Sequence, residues 1–138
     1  MCFFGRGMVW PMIYGIGTDI VDISRIVQAV EGNPRFLERY YTEKERQMFQ
    51  ERGRAGRRAA TNFAGKEAVA KALGTGIHGA VTLEQIEILR KESGAPFVVL
   101  HGSTDQYARE QGIGQIHISL SDTDTMAVAY AIAERRER

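Results

Sequence analysis

Phe63-Ala64-Gly65-Lys66-Glu67-Ala68-Val69-Ala70-Lys71-Ala72-Leu73-Gly74-Thr75-Gly76 reads as a helix that runs into a glycine loop. Glu67 and Lys71 lie four residues apart, which puts both on one face. Ala60 and Ala64 precede them on that face. Small side chains beside a carboxylate and an ammonium leave room for something to lie against the helix. Most other positions are apolar or small, so the pattern predicts a largely buried helix from about Arg57 to Leu73. A surface Glu-to-Lys pair at this spacing contributes only roughly 0.2–0.5 kcal/mol, and a left-handed Gly74 is an ordinary way to end a helix. On this stretch alone, a solvated ion pair with a glycine cap and a chemical site are equally good readings.

A second segment shifts the balance. Ile13-Tyr14-Gly15-Ile16-Gly17-Thr18-Asp19-Ile20-Val21-Asp22-Ile23 predicts a short strand from about Met12 to Gly17 and a helix starting near Asp19. Ile20, Ile23, Val27 and Val30 recur at helical spacing. The two glycines permit close approach of another backbone or a ligand. They are not the dinucleotide fingerprint, which needs a third glycine. Asp19 by itself reads as a helix cap, worth about 1 kcal/mol. A cap does not account for Glu67 with Lys71. One carboxylate at a strand end, one on a helix and a nearby lysine form the donor set of a Mg²⁺–phosphate site, where one or two carboxylates are completed by waters and phosphate oxygens.

Together these residues resemble a known family. Gly15-Ile16-Gly17-Thr18-Asp19-Ile20-Val21, and Phe63-Ala64-Gly65-Lys66-Glu67-Ala68 with Lys71-Ala72-Leu73-Gly74-Thr75-Gly76, are similar to the two signatures of the holo-[acyl-carrier-protein] synthases, the small bacterial type of 4′-phosphopantetheinyl transferase. Tyr41-Thr42-Glu43-Lys44-Glu45 resembles the start of the family's middle helix, Gly94-Ala95-Pro96 its hairpin turn and His117-Ile118-Ser119-Leu120-Ser121 its late strand. The resemblance implies transfer of 4′-phosphopantetheine from coenzyme A to a serine of apo acyl carrier protein, releasing adenosine 3′,5′-bisphosphate. It implies Asp19 and Glu67 as Mg²⁺ ligands and Asp19, Glu67 and Lys71 as catalytic residues. Glu67 or a metal-bound water takes the serine proton. Lys71, Gly74, Thr75, Gly76, Ser119 and Asp122 are the expected coenzyme A contacts, with backbone N–H groups of the glycine loop approaching a phosphate. Arg25, Arg35 and Arg39 are the expected docking surface for the carrier protein. The family assembles as a homotrimer with active sites between subunits, so Ser119 and Asp122 are expected to reach a neighbour's site.

Two positions depart from the family pattern. Asp122 stands where many members carry histidine, and Asn62 where members usually carry arginine. An ionised aspartate cannot donate a proton near neutral pH. If the family's arginine touches a phosphate, this chain must use another cation, and Arg57 and Arg58 are nearby. Two other readings stay open: a catalytically impaired carrier-protein-binding subunit of the same fold, and an unrelated Mg²⁺-dependent nucleotide hydrolase, which the lack of a P-loop disfavours.

Composition sets the remaining bounds. At 138 residues and net charge +1, the chain is one domain with no global field for nucleic acid or membrane. Residues 12–138 are expected to form the transferase domain, and residues 1–11 an extension of unknown role. The one cysteine, Cys2, permits no intramolecular disulfide, in keeping with a cytoplasmic protein. Arg52, Arg54, Arg57 and Arg58 read as a solvated loop or a phosphate contact, and Arg135, Arg136 and Arg138 as a frayed tail. His78, His101 and His117 lack zinc-ligand spacing.

The expected fold is α+β, an antiparallel sheet packed on helices. Its elements are a helical piece near Pro34–Arg39, a helix capped by Thr42 and running to about Glu51, a hairpin of Leu83–Arg90 with Phe97–Leu100, a helix over Ser103–Gln111 and a strand over Gln115–Ser121. The alanine-rich Thr125–Ala133 is strand or helix by pattern, and strand by resemblance. Its apolar character predicts that part of it is hidden between subunits.

Overall fold

The computed structural model describes residues 12–136. The extension 1–11 with Cys2, and Arg138, lie outside the described residues. The chain runs β1 (Ile13–Asp22), α1 (Ile23–Gly32), α2 (Phe36–Tyr40), α3 (Glu43–Arg52), α4 (Ala55–Ala72), β2 (Ile86–Arg90), β3 (Pro96–Leu100), α5 (Gly102–Glu110), β4 (Ile113–Asp122) and β5 (Met126–Arg135). Strands β1, β5 and β4 form an antiparallel sheet in that order, and β2 and β3 form a separate hairpin. The expected α+β architecture is therefore present, with β5 as the central strand.

The first junction differs from expectation. Ile20 belongs to β1, which continues to Asp22, and the helix begins at Ile23. Asp22, not Asp19, caps it by accepting from the Ser24 N–H at 3.1 Å. The apolar spacing ran unbroken through the change of element, while β-branched Ile16, Thr18, Ile20 and Val21 favour the extended state they adopt opposite β5. Asp19 thus stands within a strand, on the face turned toward α4. Two smaller differences follow. Leu83–Gln85 forms a single 3₁₀ turn before β2. Arg135 is no frayed tail: it lies in β5, donates its N–H to the Met12 carbonyl, and stacks its guanidinium 5.1 Å from the Tyr14 ring centroid.

Helix α4 is the axis of the molecule. Ala60, Ala64, Ala68 and Ala72 have no exposed surface, and neither do Ala127, Ala129 and Ala133 of β5. These small side chains, expected to leave room for a ligand, instead let the sheet close on the helix. Gly15 and Gly17 bring β1 so near that a Cβ at either position would overlap the Ala72 or Ala68 carbonyl oxygen. The opposite side of α4 is pinned by a buried polar network. Thr42 and Glu45 form the expected capping box at the start of α3. Glu45 then binds Lys66 and Asn62 of α4 and the N–H of Ile88 in β2.

Candidate active site

The close approach of β1 to α4 sets Asp19 beside the last two turns of the helix. Lys71 Nζ lies 3.1 Å from Asp19 Oδ1 and donates to the Thr18 carbonyl at 3.0 Å. Glu67, one turn earlier and half-buried, faces the same place. Burial pushes its carboxyl above the usual range; the Asp19 charge adds to this and Lys71 opposes it. Two carboxylates and an ammonium are therefore brought together, as the sequence predicts. Among the described residues no group of three or more histidine, cysteine or acidic side chains is placed to hold a metal ion by itself. Asp19 and Glu67 are two carboxylates at one place; a Mg²⁺ ion commonly takes one or two carboxylates and completes its positions with waters and substrate oxygens. Like charges crowded at Glu67 are what such a cation would relieve.

The glycine loop is folded differently from its expected role. Gly74 is left-handed, with φ 91°. Its N–H donates to the Lys71 carbonyl, and that of Gly76 to the Ala70 carbonyl. The Thr75 hydroxyl donates to the Gly76 carbonyl. The two glycine donors are consumed in closing the end of α4, so in this conformation they do not present N–H groups to a phosphate.

A second chemical feature lies at the other end of α4. Arg54, Arg57, Arg58 and Arg90 converge on a cleft of about 270 Å³, with Met48, Thr61, Asn62, Leu120, Ser121 and Asp122 completing its walls. Arg57 reaches Asp122 at 3.6 Å and donates to the Thr123 and Asp124 carbonyls. Arg58 donates to the Gly53 and Arg52 carbonyls. Burial pulls Arg90 below the usual arginine range, and the charges of Arg52 and Arg58 add to this against Asp122. One carboxylate does not balance four guanidiniums, so the cleft is a place for an anion. Arg90 was missed in the sequence because it arrives from β2, through no local signal. Asn62 carries no charge into this cleft.

Asp122 therefore belongs to the arginine cleft, not to the Asp19–Glu67–Lys71 cluster. Ser119 lies on the outward face of β4, away from α4, and is exposed. Within one chain neither meets the carboxylates. The outward face of the sheet also carries Ile16, Ile20 and Tyr130, which are 66%, 60% and 57% exposed. His117 is on that face too, 3.3 Å from Glu134. Arg25, Arg35 and Arg39 are all exposed along α1 and the start and body of α2. No helix is long and apolar enough to cross a membrane among the described residues.

Comparison with known proteins agrees with this geometry. A family profile for the 4′-phosphopantetheinyl transferase superfamily matches residues 15–131. The holo-[acyl-carrier-protein] synthase of Alkaliphilus metalliredigens is 46% identical over 122 residues, covering 88% of this chain and 99% of that protein. The crystal structure of holo-[acyl-carrier-protein] synthase from Neisseria meningitidis superposes with a TM-score of 0.84 at 38% identity, over 90% of this chain and all of that one. The enzyme from Bacillus anthracis, solved in complex with CoA (3′,5′-ADP), gives 0.76 at 32% identity, over 91% of this chain and 99% of that one. The chain belongs to the 4′-phosphopantetheinyl transferase superfamily and, within it, to the holo-[acyl-carrier-protein] synthases, a family of transferases.

Proposed function

We propose that this enzyme transfers 4′-phosphopantetheine from coenzyme A to a serine of apo acyl carrier protein, with Mg²⁺ and with release of adenosine 3′,5′-bisphosphate. The observation that carries this reading is the meeting of Asp19, Glu67 and Lys71 at one place between β1 and α4. Asp19 and Glu67 would hold the Mg²⁺, which when bound polarises the phosphoryl oxygens and offsets charge in the transition state. Lys71, held by Asp19 and the Thr18 carbonyl, keeps a cation aimed at the diphosphate. Glu67, or a water on the metal, would accept the serine proton. The bond from phosphorus to the nucleotide-side oxygen breaks as the serine oxygen attacks in line.

The arginine cleft is the proposed seat of the nucleotide part of coenzyme A, and this deepens the reading. Arg57 and Glu67 are ten residues apart on one helix, ~15 Å along its axis. In coenzyme A the 3′-phosphate and the diphosphate hang from the same ribose, a few bonds apart. That separation favours a site in which the cleft of one subunit faces the carboxylates of the next. The exposed apolar outer face of the sheet, Ile16, Ile20 and Tyr130, is the proposed contact of a homotrimer with shared sites, as the resemblance implies. Asn62 does not leave this chain an impaired binding subunit on this reading, because Arg54, Arg57, Arg58 and Arg90 supply the cations. Exposed Arg25, Arg35 and Arg39 form the proposed docking patch for the acidic carrier. A role in fatty acid biosynthesis and a cytoplasmic place follow from these proposed substrates.

The test is direct. Apo carrier protein incubated with coenzyme A and Mg²⁺ should gain the mass of one phosphopantetheinyl group. Glu67→Gln should keep its fold and lose most turnover. Full turnover in Glu67→Gln, at an unchanged Mg²⁺ requirement, would sink the assignment.

A further inference from the structure

Asn62 is the most deeply buried residue lining the arginine cleft, at 2% exposure. Its orientation is forced. The Nδ2 group lies 2.9 Å from Glu45 Oε2 and 2.9 Å from the Ile88 carbonyl, and both neighbours only accept. Both amide hydrogens are thereby spent, and Oδ1 must turn the other way, toward the cleft it lines. No donor among the described residues reaches Oδ1, yet it is not sealed from the cleft. Three of the four guanidiniums are held elsewhere: Arg57 on the Thr123 and Asp124 carbonyls, Arg58 on those of Gly53 and Arg52, and Arg90 on that of Gly94. The cleft thus has cations on its rim and a fixed, unused acceptor on its floor, with Met48 and Leu120 beside it. An acceptor repels phosphate oxygens. It fits a flat, uncharged ring that carries a donor edge, with the anion left to the rim.

We propose that Asn62 is a specificity-determining residue of this cleft, and that its Oδ1 accepts a hydrogen bond from the exocyclic amino group of the adenine of the bound nucleotide. The inference rests on the reading that the cleft holds the nucleotide of coenzyme A. The Glu45–Lys66 pair acts behind it, because Glu45 fixes the carboxamide and so the direction of Oδ1. A ring with a carbonyl in place of the amino group would set acceptor against acceptor. A buried polar group left unpaired in this way lowers affinity by about tenfold or more.

Calorimetric titration of the wild-type enzyme with adenosine, inosine and N6,N6-dimethyladenosine 3′,5′-bisphosphates tests this. Adenosine bisphosphate is expected to bind about tenfold more tightly than either analogue. Asn62→Ser, shown folded by its melting curve, should bind all three within about twofold of one another. If Asn62→Ser does not fold, the Asn62 side-chain amide resonances of the wild type decide: they should move with adenosine bisphosphate and stay in place with the dimethyl analogue. Equal wild-type affinities for all three bisphosphates, or preference for adenosine surviving in folded Asn62→Ser, would overturn the role of Asn62 and leave the coenzyme A reading intact. Failure of all three to bind would overturn both.

Discussion

Lys66 Nζ lies 2.7 Å from Glu45 Oε1, and neither side chain has any exposed surface. The ammonium donates also to the Leu83 and Ile86 carbonyls at 2.9 and 2.6 Å, so all three hydrogens are used. Glu45 accepts in turn from Thr42 N–H, Asn62 and Ile88 N–H. Burial pulls Lys66 below the usual lysine range, against the attraction of Glu45, Glu87 and Glu84. A buried pair of this kind adds little over an apolar pair of the same shape, but removing one partner strands the other. Lys66→Met is therefore expected to cost about 3–5 kcal/mol in chemical denaturation. Lys66→Met combined with Glu45→Met should lose less than Lys66→Met alone. A double variant less stable than the single one would show that the hydrogen bonds to the backbone, not the charge balance, hold this region.

Gly17 and Gly32 separate a glycine needed for contact from one that is not. A Cβ at Gly17 would collide with the Ala68 carbonyl, whereas nothing lies within 4 Å of one at Gly32. Gly17→Ala is expected to push β1 off α4, lower the melting temperature by several degrees and reduce turnover by more than tenfold, because Asp19 moves away from Lys71. Gly32→Ala, in the last position of α1, should leave turnover unchanged and raise stability by up to about 1 kcal/mol. Equal effects from the two substitutions would mean that the β1–α4 approach does not set the site.

What could be read in the sequence was local. The capping box of Thr42 and Glu45, the left-handed Gly74 and the one-face pair of Glu67 and Lys71 depend on residues a few positions apart, and all are present. The β1–α1 boundary was misplaced because Ile20 and Ile23 keep one apolar rhythm across two elements, and Asp22 offered as good a cap as Asp19. Arg90 and Asp122 were invisible as cleft partners of Arg58 because sheet pairing, not spacing, brings them there. Asn62 looked like a lost cation, when its environment is the buried Glu45. The glycine loop had the right composition for phosphate binding, but the N–H groups of Gly74 and Gly76 are used in ending the helix.

Glu87 gives the acid side of stability a named contributor. Burial alone would raise its carboxyl, but the Thr42 hydroxyl and His101 outweigh burial and hold it below the usual range. A folded-state value depressed below the unfolded one stabilises above the unfolded value, about pH 4.3, and that contribution is lost as pH falls through the folded value. His101→Ala removes the partner at 3.1 Å. The variant should melt below wild type above about pH 5, and the gap should close as pH falls toward about 3. A gap that widens on acidification would show that the pair does not act through Glu87.

Sharing of sites between subunits has a consequence that neither fold nor stability measurements can imitate. Glu67→Gln removes a carboxylate but keeps the arginine cleft. Arg58→Ala weakens the cleft but keeps Asp19 and Lys71 together with Glu67, which lies about 14 Å further along α4. If each active site takes its cleft from one chain and its carboxylates from another, the two poor enzymes complement each other. Co-expressed in equal amounts and assembled at random, they should produce wild-type sites at about one position in four, since a site is intact only when an Arg58 chain faces a Glu67 chain. The measurement is transfer activity of the co-purified mixture against each variant alone, with light scattering to confirm the assembly. Ile16→Asp in both chains should abolish the recovery, because that side chain is among the most exposed apolar ones on the outer sheet face and a charge there opposes subunit contact. Activity of the mixture equal to the mean of its parts would place the whole reaction within one chain.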